Sequence, residues 1–196
     1  MQTRKIIQTG LWAVVALVAG ALVVTYLNLS SQGVAANAPY GTPFTLVDQN
    51  GETFKSEQLA GEPYALFFGY THCPDVCPTT LYELAGRQEA IEKKGGDFQI
   101  VFVTVDPERD TPGMMKEYVE AVSPKIVALT GEKTDIAKTA KGWGAYFAKQ
   151  GEGDDYLMDH TATTFLIDAK GRLAGTIAYG EDPKTVTAKL DKLSGV

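Results

Sequence analysis

Apolar residues are distributed along this chain in two ways. From Ile6 to Leu29 no charged residue occurs and Leu, Val and Ala dominate, whereas beyond Pro43 the apolar positions fall into short runs punctuated by polar turns. The first pattern is long enough to cross a bilayer and longer than a usual signal-peptide core, so one N-terminal transmembrane helix is expected within residues 1–29. Arg4 and Lys5 precede it and should stay in the cytoplasm, which sends the remainder to the opposite side. Ala36-Asn37-Ala38 has the small-x-small form of a cleavage site, the lesser alternative to a permanent anchor. Residues 30–42 are small, polar and uncharged and read as a flexible tether, with a folded domain over 43–196.

Within that domain the period changes from element to element. Phe44–Val47 and Glu52–Phe54 bracket an Asn50-Gly51 turn and predict a hairpin. Tyr64–Phe68 and Phe98–Val105 are continuous apolar runs, as buried strands are. Between them apolar residues three or four apart predict a helix from about Pro78 to Lys94, because proline suits a first helical position. Thr111-Pro112 reads as the cap of a second helix, with Met115, Tyr118, Val119 and Val122 on one face. A short strand at Ile126–Leu129, a helix at Thr134–Lys141 and an extended stretch at Trp143–Lys149 follow. Gly151–Asp155 is a loop, Thr163–Ile167 and Leu173–Ala178 are strands, and Asp182-Pro183 opens a last helix. Strands alternating with helices and a late hairpin predict an α/β fold, a thioredoxin-like mixed sheet with helices on both faces.

Composition narrows the function classes. A net charge of −6 without a basic patch argues against nucleic acid as a partner. Two cysteines in 196 residues exclude a disulfide framework, so ordinary packing must hold the core. Both cysteines, and one of the two histidines, lie in FFGYTHCPDVCPTTL, Phe67 to Leu81. With Cys77 at or beside a helix N-terminus, unpaired N–H groups and the helix dipole favour its thiolate. Two close thiolates can form a disulfide, act as a redox pair or hold a soft metal such as Cu(I); a structural disulfide or two buried small side chains is the plainer possibility. His160, in LMDHT, is the candidate third ligand, and an imidazole beside two thiolates makes a Cys2His set suited to either copper oxidation state. His72 competes, but adjoining Cys73 in an extended segment it should point away. Asp159 is a candidate for orienting the imidazole, and Asp75 or Asp159 could supply a fourth ligand if the metal were zinc.

Taken together, FFGYTHCPDVCPTTL, VDPERDTP at Val105–Pro112 and DYLMDHT at Asp155–Thr161 resemble the Sco/SenC proteins, over the whole domain from about Pro43. The resemblance implies a thioredoxin-like fold and a mononuclear copper site, Cu(I) or Cu(II), on Cys73, Cys77 and His160. It implies a metallochaperone for the dinuclear copper site of cytochrome c oxidase subunit II, possible receipt of copper from another chaperone, and a place on the bacterial inner membrane facing the periplasm. The alternative is a thiol–disulfide oxidoreductase working through Cys73 and Cys77 on that site's cysteines or on another extracytoplasmic protein. A peroxidase of the peroxiredoxin kind fits less well, since Tyr70 and Pro74 stand where a threonine is wanted. The Asp106–Thr111 segment is either a charged capping turn or a contribution to partner docking.

Overall fold

The structure, a computed structural model, describes residue 12, residues 17–25, 40–153 and 155–196. Residues 17–25 are helical. The expected span at 6–29 and tether at 30–42 lie largely outside the described residues, among which no helix is long and apolar enough to cross a membrane.

Among the described residues from Tyr40 onward there are nine strands and four α-helices. A hairpin of β1 (Thr45–Asp48) and β2 (Thr53–Lys55) opens the domain, and a 3-10 turn at Ser56–Leu59 leads to β3 (Tyr64–Gly69). Next come α1 (Val76–Glu92), β4 (Gln99–Thr104), α2 (Pro112–Glu120), β5 (Val127–Thr130) and α3 (Lys133–Gly142). The chain closes with β6 (Phe147–Gln150), β7 (Leu157–His160), β8 (Thr163–Ile167), β9 (Leu173–Ala178) and α4 (Pro183–Ser194). Seven strands form one mixed sheet in the order β2-β1-β5-β4-β3-β8-β9, while β6 and β7 pair only with each other. β3 and β4 run parallel, as do β4 and β5, and β8 returns antiparallel to β3.

The apolar runs dictate this order of layers. All six residues of β3 are buried, as are five of six in β4, and a central strand buried at successive side chains needs cover on both faces. α1 buries Cys77, Leu81, Leu84, Gln88 and Ile91, the stripe that its spacing predicts. Trp143, next to the end of α3, packs edge-on to Tyr40 and Phe165, so the domain's contacts reach back to Tyr40. Thr111 and Asp182 cap α2 and α4 through their side chains, each followed by proline at the first position. On the outer strand β9, Lys189 of α4 donates its ammonium to the Thr176 carbonyl at 2.7 Å.

One local expectation is corrected. α1 starts at Val76 rather than Pro78, with Asp75 preceding it and no side-chain cap, because the Asp75 carboxylate faces the Tyr179 hydroxyl at 3.4 Å instead. His160 stands just before β8, as the sequence predicts, and there it also closes a short strand of its own, β7. The signal was there: Tyr156-Leu157-Met158 and Phe147 are apolar, but their hairpin is too short and mixed to announce itself.

Candidate metal centre

The cysteine loop leaves the C-terminal end of β3, where ligands of open α/β sheets ordinarily sit. β3 ends in Gly69 for a steric reason. A Cβ built there would lie 2.7 Å from Cys77 Sγ and 2.8 Å from the Phe102 ring, so only glycine leaves space for the sulfur. Cys77 is fully buried in the first turn of α1 and Cys73 is half-buried ahead of it; both are free thiols. From the other side His160 brings Nε2 to 3.4 Å from Cys77 Sγ, and its Nδ1 lies 3.2 Å from the Thr161 carbonyl. Its ring is edge-on to Phe67 and Tyr70, with centroids 5.9 and 5.8 Å away.

The two sulfurs and an imidazole nitrogen all lie within 4.8 Å of one another. Donors about 2.0–2.3 Å from a shared ion stand roughly 3.5–4 Å apart, so closing on a metal requires only small side-chain adjustments. The donor set is two soft sulfurs and one nitrogen, and among the described residues no carboxylate joins it. Asp159 instead accepts from Gln150 Nε2 at 2.7 Å, and Asp75 faces Tyr179, so neither takes the place that zinc coordination or imidazole orientation would have given it. The carbonyl of Thr161 is the group beside Nδ1. His72 stands apart, half-exposed, with Nδ1 3.0 Å from Thr71 Oγ1.

The two thiols divide their protons unequally. Cys73 is lowered to about 3, first because the Cys77 thiol donates to its sulfur; burial opposes this, and His160 and the N–H groups of Asp75 and Cys77 add further donors. Cys77 is raised, because it keeps the shared proton beside that thiolate and is buried. The thiolate therefore belongs to Cys73, not to Cys77 as the helix-terminus argument expected. The dipole is worth at most about 2 kcal/mol, whereas full burial moves an acid by several pKa units.

This division is measurable. Alkylation of Cys73 in the folded protein is expected to have nearly the same rate from pH 5 to pH 8, while an ordinary thiol slows about tenfold per unit below 8.5. Unfolding in urea should restore the ordinary slope at both cysteines. A tenfold fall per unit in the native protein would show that Cys73 is an unperturbed thiol. The sign for stability follows: with the folded value below the unfolded one, the stabilising contribution of Cys73 is full above about 8.5 and fades as pH falls toward 3.

The Asp106–Thr111 segment, leaving β4 at the same edge, is a bracket behind this loop. Val105 N–H bonds to the Gly69 carbonyl at 2.7 Å. Asp110, fully buried, accepts from Thr71 N–H at 3.0 Å, from the Thr71 hydroxyl at 2.5 Å and from the Thr104 hydroxyl at 2.5 Å. Burial pushes its carboxyl upward, against those hydrogen bonds. Asp106, also buried, accepts from Arg109 Nε at 2.5 Å and from the Tyr156 hydroxyl at 2.7 Å. Read as a sequence, this run of charge looked like a capping turn or a docking surface; Thr111 does cap α2, and the two aspartates face inward.

Three comparisons bear on this geometry. The description of the SCO1/SenC family matches residues 32–195. The chain is 39% identical over 153 residues to an SCO2-like protein of Rickettsia felis, covering 76% of this chain and 75% of that protein. It superposes on the structure of Bradyrhizobium japonicum ScoI with copper bound at TM-score 0.71 and 41% identity, over 79% of this chain and 99% of the other. On the crystal structure of Arabidopsis thaliana ScoI with copper bound the TM-score is 0.73 at 36% identity, over 78% and 96%.

Proposed function

Because the chain belongs to the SCO1/SenC family, we propose that it is a copper metallochaperone that holds one copper ion on Cys73, Cys77 and His160 and hands it to an assembling cytochrome c oxidase. The observation that carries this reading is the meeting of two sulfurs and an imidazole nitrogen within 4.8 Å, from elements 83 residues apart in the chain. Relatives whose structures contain copper support it. Thiolates select Cu(I) and imidazole suits copper in either state, so the set keeps its cargo through a change of oxidation state. Cys73, half-buried and already ionised, is the ligand that an incoming thiolate of a partner can replace first; Cys77, beneath it, is the last to let go.

We place the acceptor in the dinuclear copper site of subunit II, with another copper chaperone as the donor. Residues 1–29 are the anchor in the bacterial inner membrane, the tether expected over 30–42 runs only as far as Tyr40, which already packs on Trp143, and the copper domain from there to 196 faces the periplasm. The uncharged stretch at 6–29 behind Arg4 and Lys5 supports that arrangement.

One observation favours a second reading, thiol–disulfide exchange: a thiolate at Cys73 beside a protonated Cys77 is a nucleophile with its resolving thiol. Cys73 would attack a partner disulfide and release one partner sulfur as thiolate, Cys77 would give up its proton and displace the other, and two electrons and one proton would pass to the partner, with a second proton taken from water. Copper titration of the reduced full-length chain under anaerobic conditions separates the two. One ion per chain is expected, lost in Cys73→Ser and Cys77→Ser and weakened in His160→Ala. No copper uptake, with Cys73 and Cys77 exchanging with a partner disulfide at the same rate in His160→Ala, would establish the oxidoreductase instead.

A further inference from the structure

The three donors are supported by two different parts of the molecule. Cys73 and Cys77 belong to the main sheet and α1, and Asp110 pins the loop before them through Thr71. His160 belongs to β7, which pairs with β6 alone and shares no ladder with the seven-stranded sheet. Something other than strand pairing must therefore hold the hairpin over the sulfurs.

We propose that Asp106, Arg109 and Tyr156 are positioning residues that hold His160 in place through a contact in which the cysteines take no part. This deepens the copper-carrier reading and rests on it. Tyr156 immediately precedes β7 and is buried, and its hydroxyl donates to Asp106 Oδ1 at 2.7 Å. Asp106 is itself 2% exposed and fixed by Arg109. The Arg109 guanidinium lies 3.6 Å from the centroid of the Tyr156 ring, and the Lys149 ammonium, from β6, also lies 3.6 Å from it. A cation over an aromatic ring adds to the hold, more for the mostly buried Arg109 than for the exposed Lys149. Arg109 also stands over Tyr70 at 5.9 Å, and Tyr70 is edge-on to His160. From the loop after β4, contacts thus reach Tyr156, which leads into β7 four residues before His160, and Tyr70, whose ring touches the imidazole.

This arrangement acts unevenly on the two copper states. Two thiolates satisfy Cu(I), whereas Cu(II) gains more from the imidazole. Loosening the hairpin alone should turn a three-ligand site into a two-ligand one, which keeps Cu(I) and gives up Cu(II). Asp106, Arg109 and Tyr156 would then set how readily the histidine is withdrawn during transfer.

Tyr156→Phe in the full-length chain tests this, since it keeps the ring and removes the hydroxyl. The protein has only His72 and His160, so histidine-labelled samples give two sets of ring signals. In the copper-free variant, nuclear Overhauser contacts of His160 with the Phe67 and Tyr70 rings should weaken while the His72 signals stay unchanged. Affinity for Cu(II), read from its thiolate charge-transfer band, should fall about 10–100-fold, and that for Cu(I), read by chelator competition, less than roughly threefold. Asp106→Asn, which retains an acceptor oxygen, should lie between the variant and the wild type. Unchanged ring contacts, or Cu(I) and Cu(II) affinities falling in parallel, would overturn the proposal. If the wild type takes up no copper, the carrier reading fails, and the ring contacts alone still decide whether Tyr156 positions His160.

Discussion

Asp110→Ala should cost on the order of 4 kcal/mol of folding stability, because it removes one buried acceptor from three donors at once. The Thr71 N–H, the Thr71 hydroxyl and the Thr104 hydroxyl all end on this carboxylate. Each buried donor left without a partner costs about 1–3 kcal/mol, and a hydroxyl that rotates to a new acceptor recovers part of that. The cost of burying the carboxylate itself, visible in its raised pKa, is returned on substitution and keeps the total below the simple sum. Chemical denaturation of the two proteins checks this. Asp110→Asn should sit near the midpoint, since the amide oxygen still accepts while its NH2 faces donors. A loss under about 1 kcal/mol for alanine would mean that the bracket contributes little beyond filling space.

Gly69→Ala is the second large effect, and it acts on the sulfur directly. The added methyl would come within 2.7 Å of Cys77 Sγ and 2.8 Å of Phe102, with the Phe67 ring a further 3.1 Å contact. Overpacking of this kind costs about 1–3 kcal/mol, and relief must come from moving either the ring or the thiol. The Phe102 ring is fully buried and stacked on Phe67 at 6.1 Å, so the sulfur is the softer neighbour. Copper affinity should fall by about 100-fold, comparable to losing an outer partner of a metal ligand. A variant that retains wild-type affinity would show that the sulfur has space to retreat without leaving the site.

Much of this was legible in the sequence for identifiable reasons. β3 and β4 are continuous apolar runs because helices cover both their faces, and continuity of that sort survives in one dimension. Cys73 and Cys77 stand out because a thiol pair after such a run has few uses, and the DYLMDHT segment placed His160. What the sequence could not carry was long-range pairing of polar side chains. Nothing local to Tyr156 indicates that its hydroxyl meets Asp106, 50 residues earlier, or that Asp110 reaches back 39 residues to Thr71. A sequence shows helix termini but not burial, which is why it points to Cys77 for the thiolate. Pro78 marks a first turn without saying which residue of that turn it occupies, and α1 begins two residues before it, at Val76.

The ammonium of Lys189 on the Thr176 carbonyl has a consequence for how copies of this protein behave when crowded. β9 ends the seven-stranded sheet, and an outer strand with free carbonyls is a template onto which another extended chain can add. Here one of those carbonyls is already occupied by a charge, and the same ammonium is tethered to Glu181. A strand approaching β9 from another molecule would have to displace this ammonium from the carbonyl before it could pair there, so this edge resists edge-to-edge growth without having to be hidden.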